Sequence, residues 1–77
     1  MFKTNICFSS VQEVSSFVKL ANNYDFNINI ISEKYVINGK SLMGIFSLPL
    51  EKALCLRAEC DSSCPFVSEV RPFVVGA

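Results

Sequence analysis

Four short stretches predict β-strands; apolar and polar residues alternate along three of them, as is typical of strands with one buried face, and the stretch at residues 35–37 is apolar throughout. The first stretch covers residues 2–8 and the second covers residues 25–31. The third and fourth strands are predicted over residues 35–37 and 51–59. A polar segment at residues 32–34 is expected to form a hairpin turn between the second and third strands.

A longer period of three and four residues predicts a first helix over residues 11–21. Ser10 precedes this helix and Glu13 lies in its first turn, which is the spacing of a capping box. In that motif the serine oxygen accepts a bond from the N–H three residues later, and the glutamate reaches back to the helix start. The apolar face of the helix is expected to consist of Val11, Val14, Phe17, Val18 and Ala21.

Two shorter helices are predicted near prolines. Ser41 follows an Asn-Gly turn and has the position of an N-cap, with an apolar helix from Leu42 to about Leu48 after it. Pro49 ends that helix, because proline removes a backbone donor. Pro65 suits the first position of a third helix, which Pro72 ends near residue 70.

The order strand, helix, strand, strand, helix, strand, helix predicts an α+β fold, with one sheet covered by helices on one face. The chain length of 77 residues predicts a single domain over residues 1–77, with residues 71–77 as an irregular tail. Apolar residues make up 51% of the chain, so we expect an exposed apolar patch that serves as an interaction site.

Charge and hydropathy argue against two classes of partner. The formal net charge is zero and no basic stripe is present, so nucleic-acid binding has no electrostatic basis. No apolar run reaches the roughly 18 residues of a membrane span, and the first residues lack the apolar core of a signal peptide. The sequence therefore predicts a cytoplasmic protein that contacts neither nucleic acid nor membrane.

Histidine is absent, and the four cysteines follow no established metal-binding spacing. Strand periodicity explains Cys7 and Cys55 as small core or half-core residues. A redox pair formed by Cys60 and Cys64 is a weaker alternative, since neither lies beside a group that would lower a thiol pKa. We expect no metal, no cofactor and no enzymatic activity.

Two segments resemble HPr, the phosphocarrier protein of the sugar phosphotransferase system. The segment Lys-Ser-Leu-Met-Gly-Ile-Phe-Ser-Leu at residues 40–48 is similar to the regulatory-serine segment of that family. Residues 23–30 are similar to its second strand, and the resemblance extends over about residues 2–60. It implies an open-faced sandwich with four antiparallel strands in the order 1-4-2-3 and three helices on one face.

The resemblance also implies where the phosphate-carrying histidine of the family would lie. Ser10 occupies that position in this chain. Gln12 replaces an arginine that holds the phosphoryl group, and Glu13 replaces a proline. A serine phosphate is far less reactive than a phosphoimidazole, and a carboxylate repels an incoming anion. We therefore interpret Ser10 as a structural cap in a member that lacks the active-site histidine, similar to the catabolite-repression paralogue.

Ser41 matches the serine that a dedicated kinase phosphorylates in the family, and an unmodified N-cap is the competing interpretation. The residues expected to contact partners are Leu42, Met43, Ile45 and Phe46, of which about half must be core. Met43 and Phe46 are the choices for exposure.

The leading hypothesis is an HPr-like, non-phosphotransferring regulatory domain that binds proteins, such as an HPr kinase or a transcription regulator. The alternative is a small-molecule-binding or enzyme-accessory domain unrelated to sugar transport, with a pocket on the face of Asn27 and Asn29. The sequence leaves the oligomeric state open.

Overall fold

The computed structural model describes residues 1–49 and 52–75. Its strands are β1 (Phe2–Ile6), β2 (Ile28–Ser32), β3 (Tyr35–Asn38) and β4 (Leu54–Ala58). Its helices are α1 (Val11–Ala21), α2 (Leu42–Phe46) and α3 (Pro65–Glu69), followed by a 3₁₀ turn at Arg71–Phe73. The predicted start of the fourth strand, at residue 51, lies outside the described residues.

The four strands form one antiparallel sheet in the order β1-β4-β2-β3, which confirms the predicted α+β fold and strand order. β4 lies between β1 and β2, with Leu56 opposite Thr4 on one side and Ile30 on the other. Alternate residues of the strands are buried, so one face of the sheet carries the core. The opposite face is not covered by the helices.

Strand and helix ends differ by a few residues from the predictions. β1 ends at Ile6, and β2 begins at Ile28 because the chain bends before it. Glu59 N–H still donates to the Asn27 carbonyl at 3.0 Å, so one ladder bond extends beyond β2. α2 ends at Phe46, two residues before the predicted end.

Aromatic rings fill much of the space between the sheet and the helices. Phe8, Phe17 and Phe73 contact one another, with ring centroids 5.5–5.7 Å apart. Phe66 links this group to Tyr24. Its ring centroid is 6.4 Å from that of Phe17 and 5.3 Å from that of Tyr24. These tilted and edge-to-face arrangements are favourable for aromatic quadrupoles. The rings therefore join α1, α3 and the 3₁₀ turn into one core.

α1 packs on the sheet with most of the predicted apolar face. Val14, Phe17 and Ala21 are fully buried, and Val18 is half-buried. Val11 was predicted on this face, but its side chain is 65% exposed. It lies in the first turn, one helical turn before the first buried residue, so it extends beyond the part of α1 that covers the sheet.

The Tyr24 hydroxyl donates a hydrogen bond to the Glu69 carboxylate and connects the segment after α1 to the end of α3. This hydrogen bond is the largest cause of a Tyr24 pKa raised to about 12. The bond therefore stabilises the fold below the ordinary tyrosine pKa near 10. Its contribution is lost as pH rises through the folded-state pKa.

The segment after the 3₁₀ turn pairs with the outer edge of β1. Cys7 N–H donates to the Phe73 carbonyl at 2.9 Å, and Val75 N–H donates to the Asn5 carbonyl at 3.0 Å. Ile6 and Val74 form an antiparallel bridge between these bonds. Part of the predicted irregular tail is thus ordered along the sheet, while residues 76–77 lie outside the described part.

The hairpin between β2 and β3 has a two-residue loop, Glu33 and Lys34. Glu33 has φ = 54°, the left-handed region that glycine adopts without steric cost. We predict that Glu33→Gly raises the free energy of unfolding by about 0.5–1 kcal/mol, because relief of backbone strain exceeds the entropic cost of glycine.

Urea unfolding of the full chain measures this change. Lys34→Gly is the matched control, since Lys34 lacks the positive φ and its replacement is expected to destabilise by about 0.5–1 kcal/mol. Equal destabilisation by the two substitutions would show that the Glu33 backbone is not strained.

Candidate functional site

The start of α1 is the first candidate site, because the sequence resemblance predicts that Ser10 lies at the position of a phosphate-accepting histidine. Ser10 has an extended backbone, and its Oγ accepts a hydrogen bond from Glu13 N–H at 3.2 Å. Glu13 Oε1 accepts from Ser9 N–H at 2.9 Å, and its Oε2 accepts from the Ser9 hydroxyl at 2.8 Å. The carboxylate thus reaches back to Ser9, one residue before the partner expected in a capping box.

These bonds keep a negative charge at the positive end of α1. They lower the pKa of Glu13, first through the Ser9 backbone N–H and then through the Ser9 hydroxyl. Because the folded-state pKa is lowered, the interaction stabilises the fold at pH values above the ordinary carboxyl pKa of 4.5. That stabilisation is lost as pH falls through the folded-state pKa. At neutral pH the helix start is occupied by a carboxylate.

The same geometry makes the start of α1 a poor place for a phosphoryl group. Ser10 and Gln12 are both exposed, and Gln12 brings no charge. An anion approaching this end of α1 would meet the ionised Glu13 side chain, and like charges repel at this range. The helix dipole, which favours anions, already acts on Glu13.

Ser41 lies at the start of α2 and caps it. Its Oγ accepts from Gly44 N–H at 3.2 Å, and its own N–H donates to the Asn38 carbonyl at 3.0 Å. Lys40 is adjacent in sequence, but its Nζ donates to the Tyr24 carbonyl at 2.5 Å. The Lys40 ammonium is therefore held by the segment after α1, and Ser41 itself is half-buried.

Gly44 sets the fit of α2 on β3. A Cβ atom placed on Gly44 would lie 2.7 Å from Ile37 Cγ2 and 3.1 Å from Ser41 Oγ. Real side chains do not approach that closely without displacing their neighbours. The glycine therefore allows α2 to lie against β3 and brings its N–H to the Ser41 hydroxyl.

The apolar residues of α2 divide between the core and the surface. Met43 is 78% exposed and Leu42 is 37% exposed, whereas Phe46 is half-buried. Ile45 was a candidate for partner contact, but it is fully buried because its side chain faces the sheet. Met43 and Leu42 thus remain as the accessible apolar positions, and Phe46 is less accessible than expected.

Ser10 and Ser41 do not share one site. Asn22 follows the last residue of α1, and its Nδ2 lies 3.4 Å from the Lys40 carbonyl, so Ser41 is near the end of α1. Ser10 is at the opposite end of this 11-residue helix, which has a length of about 16 Å. The two serines are therefore separate positions on the helix-bearing side.

A groove beside the start of β3 was not predicted from the sequence. It has a volume of about 340 Å³ and is lined by Tyr35, Ile37, Ser47, Leu48 and Pro49. Its residues come from β3 and from the chain after α2. The only sequence signal was the apolar character of both segments, and that signal cannot show that they meet.

The cysteines do not form a recognisable metal centre. Within residues 1–49 and 52–75, no group of three or more metal-ligating side chains comes together. Cys60 and Cys64 lie close to each other, and desolvation is the largest of the effects that raise the pKa of the Cys60 thiol. A raised pKa keeps that thiol protonated and weakens its nucleophilicity.

None of the helices in the described part of the chain has the length and hydropathy of a membrane span.

Comparison with known proteins identifies similar folds. No protein-family model matches the sequence, and no curated protein matches it either. Among solved structures, HPr-C-His from Thermoanaerobacter tengcongensis has a TM-score of 0.77 and 22% identity, covering 96% of this chain and 91% of that chain. The chain has an HPr-like fold.

Two further structures give the same result. The phosphocarrier protein HPr from Bacillus anthracis has a TM-score of 0.75 and 21% identity, over 96% of each chain. A histidine-containing phosphocarrier protein from Mycoplasma has a TM-score of 0.74 and 17% identity, over 97% of this chain and 98% of that chain. Sequence identities this low establish the fold and leave the function to the residues of the site.

The bonds at the start of α1 predict a specific response to Ser9→Ala. The substitution removes the hydroxyl donor but leaves the Ser9 backbone N–H, which is the larger cause of the lowered Glu13 pKa. We expect the pKa of Glu13 to rise only part of the way to its ordinary value. Carbon-detected NMR titration of the Glu13 carboxyl measures it, with Ser16→Ala, an exposed position on α1, as the control. Complete recovery of the ordinary pKa in Ser9→Ala would show that the backbone bond is unimportant.

Proposed function

We propose that this chain is an HPr-like regulatory domain related to the sugar phosphotransferase system, which binds other proteins and does not pass on phosphate. The observation that supports the proposal is the start of α1, where a serine cap and a bonded carboxylate lie at the position that the resemblance assigns to a phosphate-accepting imidazole. The fold itself is shared with phosphocarrier proteins.

The chemistry at Ser10 supports the loss of phosphate transfer. The chain contains no histidine, so no imidazole can form a reactive phosphoramidate. A phosphate ester on a serine hydroxyl has a much poorer leaving group and does not transfer readily. The Ser10 hydroxyl is also engaged as a helix cap, and Glu13 adds a negative charge next to it.

Regulation through Ser41 is the finer part of the proposal. Ser41 Oγ lies at the start of α2 and accepts a hydrogen bond from Gly44 N–H. In the phosphorylated chain, a phosphate oxygen would accept this hydrogen bond in place of the hydroxyl. The modification would add about two negative charges beside Leu42 and Met43, which are exposed. A partner with an apolar contact surface would then bind less tightly, because its contact would require desolvation of the phosphate.

The partner surface that we propose centres on Met43, with Leu42 beside it and Phe46 at its margin. Exposed Met and Leu side chains contribute apolar contact area, and methionine adapts to differently shaped partners. We propose an HPr kinase or a transcription regulator as the partner. A cytoplasmic location is part of the same proposal, as is the absence of enzymatic activity.

Phosphate transfer is tested with labelled phosphoenolpyruvate and the first enzyme of the phosphotransferase system. We expect no acid-labile phosphate on the chain, because it offers no imidazole. A histidine-containing HPr in the same reaction shows that the enzyme is active. An acid-labile adduct on this chain would overturn the proposal that it does not carry phosphate.

Regulation is tested with HPr kinase and ATP. We expect one acid-stable phosphate on the full chain and none on Ser41→Ala. Ser10→Ala is the matched control, since Ser10 also caps a helix, and it should be phosphorylated like the parent. If the parent and Ser41→Ala are equally unlabelled, regulation through Ser41 is excluded. The docking role of Met43 is tested separately, by the loss of partner binding in Met43→Ser.

A further inference from the structure

The uncovered face of the sheet carries two positive side chains next to each other. Lys3 on β1 lies directly opposite Arg57 on β4 in the antiparallel register. Directly opposed side chains on one face have Cβ atoms about 4.5–5.5 Å apart, and like charges at this spacing destabilise a sheet. A neutral chain with seven basic and seven acidic residues has therefore placed two cations where they repel.

No carboxylate of the described chain compensates this pair. Within residues 1–49 and 52–75, neither Lys3 nor Arg57 forms an ion pair, and the enclosed Arg57 Nε has no hydrogen-bond partner. Glu59 follows β4 directly and is the acidic residue nearest to Arg57 in sequence, but it accepts a hydrogen bond from Asn27 Nδ2 at 3.1 Å. The Nε atom itself is enclosed, so an external carboxylate would bind the terminal nitrogens of the guanidinium, which also donate hydrogen bonds.

The same row of the sheet continues with two amides. Arg57 is opposite Asn29 on β2, and Asn29 is opposite Asn38 on β3. Guanidinium, ammonium and amide groups all donate hydrogen bonds to a carboxylate. The row thus presents donors in succession across the four strands.

The next row on this face is apolar at the β3 side. Ile31 on β2 is opposite Val36 on the edge strand β3. The Val36 side chain is 58% exposed. These two side chains lie one row, or two residues, from the amides. The face is therefore basic at one side and apolar at the diagonally opposite side.

We propose that the uncovered sheet face is a second docking surface, which binds an acidic peptide segment of a partner protein. Two carboxylates of the segment would lie over Lys3 and Arg57, and its apolar side chains would contact Ile31 and Val36. Charge complementarity decides the partner's chemistry: Lys3 and Arg57 are adjacent cations without an ion pair in the described residues, whereas the nearby Glu59 carboxylate already accepts from Asn27. The surface is on the opposite side of the sheet from Met43, so it is independent of the proposed function.

The probe is the peptide acetyl-Glu-Ser-Glu-Ser-Leu-Ser-Leu-amide, which places glutamates and leucines on one side when extended. In an NMR titration of the full chain, the peptide should shift amide signals of all four strands. Its binding should weaken as sodium chloride is added. The matched peptide with glutamine in place of each glutamate should bind much less. Equal binding of the two peptides, shifts confined to α2, or no shifts at all would each overturn the proposal.

Charge-removing variants test the positions. Lys3→Gln, at an exposed residue, should weaken the acidic peptide roughly two- to fivefold, as expected for one exposed ion pair. Lys19→Gln is the matched control, because Lys19 is an exposed cation on α1, away from this face. Arg57→Gln should weaken binding as well, and thermal unfolding checks that the variant is folded. Equal affinities of Lys3→Gln and Lys19→Gln would show that the position of the charge has no importance.

Discussion

The structure depends on β4, which is bonded on both sides and has one face in the core. Leu54, Leu56 and Ala58 are buried beneath the helices, while Cys55 and Arg57 face the other way. A slip of one residue in either ladder would place Arg57 in the core and a leucine in water, and the cost of burying the charge excludes it. The register of β4 therefore fixes which side chains of β1 and β2 line the core and which remain available on the outer face.

Short-range patterns were sufficient to predict the elements and the caps. Ser10 and Ser41 act within four residues of their own positions, so their roles follow from the local sequence. The strand order came from the resemblance to HPr, because alternation of residues in one strand carries no information about its neighbours. Val11 was misjudged for a related reason: helical spacing shows which side of α1 is apolar, but not how far the sheet extends beneath it.

Features that rest on distant pairs could not be predicted. The exposure of Met43 was predicted, but the burial of Ile45 depends on the angle at which this short helix meets β3, and Gly44 and Ile37 set that approach. The juxtaposition of Lys3 and Arg57 follows only once β1 and β4 are known to be neighbours. The burial of Ile45 and the pairing of Lys3 with Arg57 could therefore be recognised only in the three-dimensional structure.

The pairing of Phe73 and Val75 with β1 has a consequence for local motion. The Phe73 ring contacts Phe8 and Phe17 inside the core, and its carbonyl accepts the Cys7 N–H. Detachment of this segment would therefore withdraw a ring from the interior as well as break two ladder bonds. Opening of the Cys7 amide by this route therefore costs the burial of an aromatic ring in addition to a hydrogen bond.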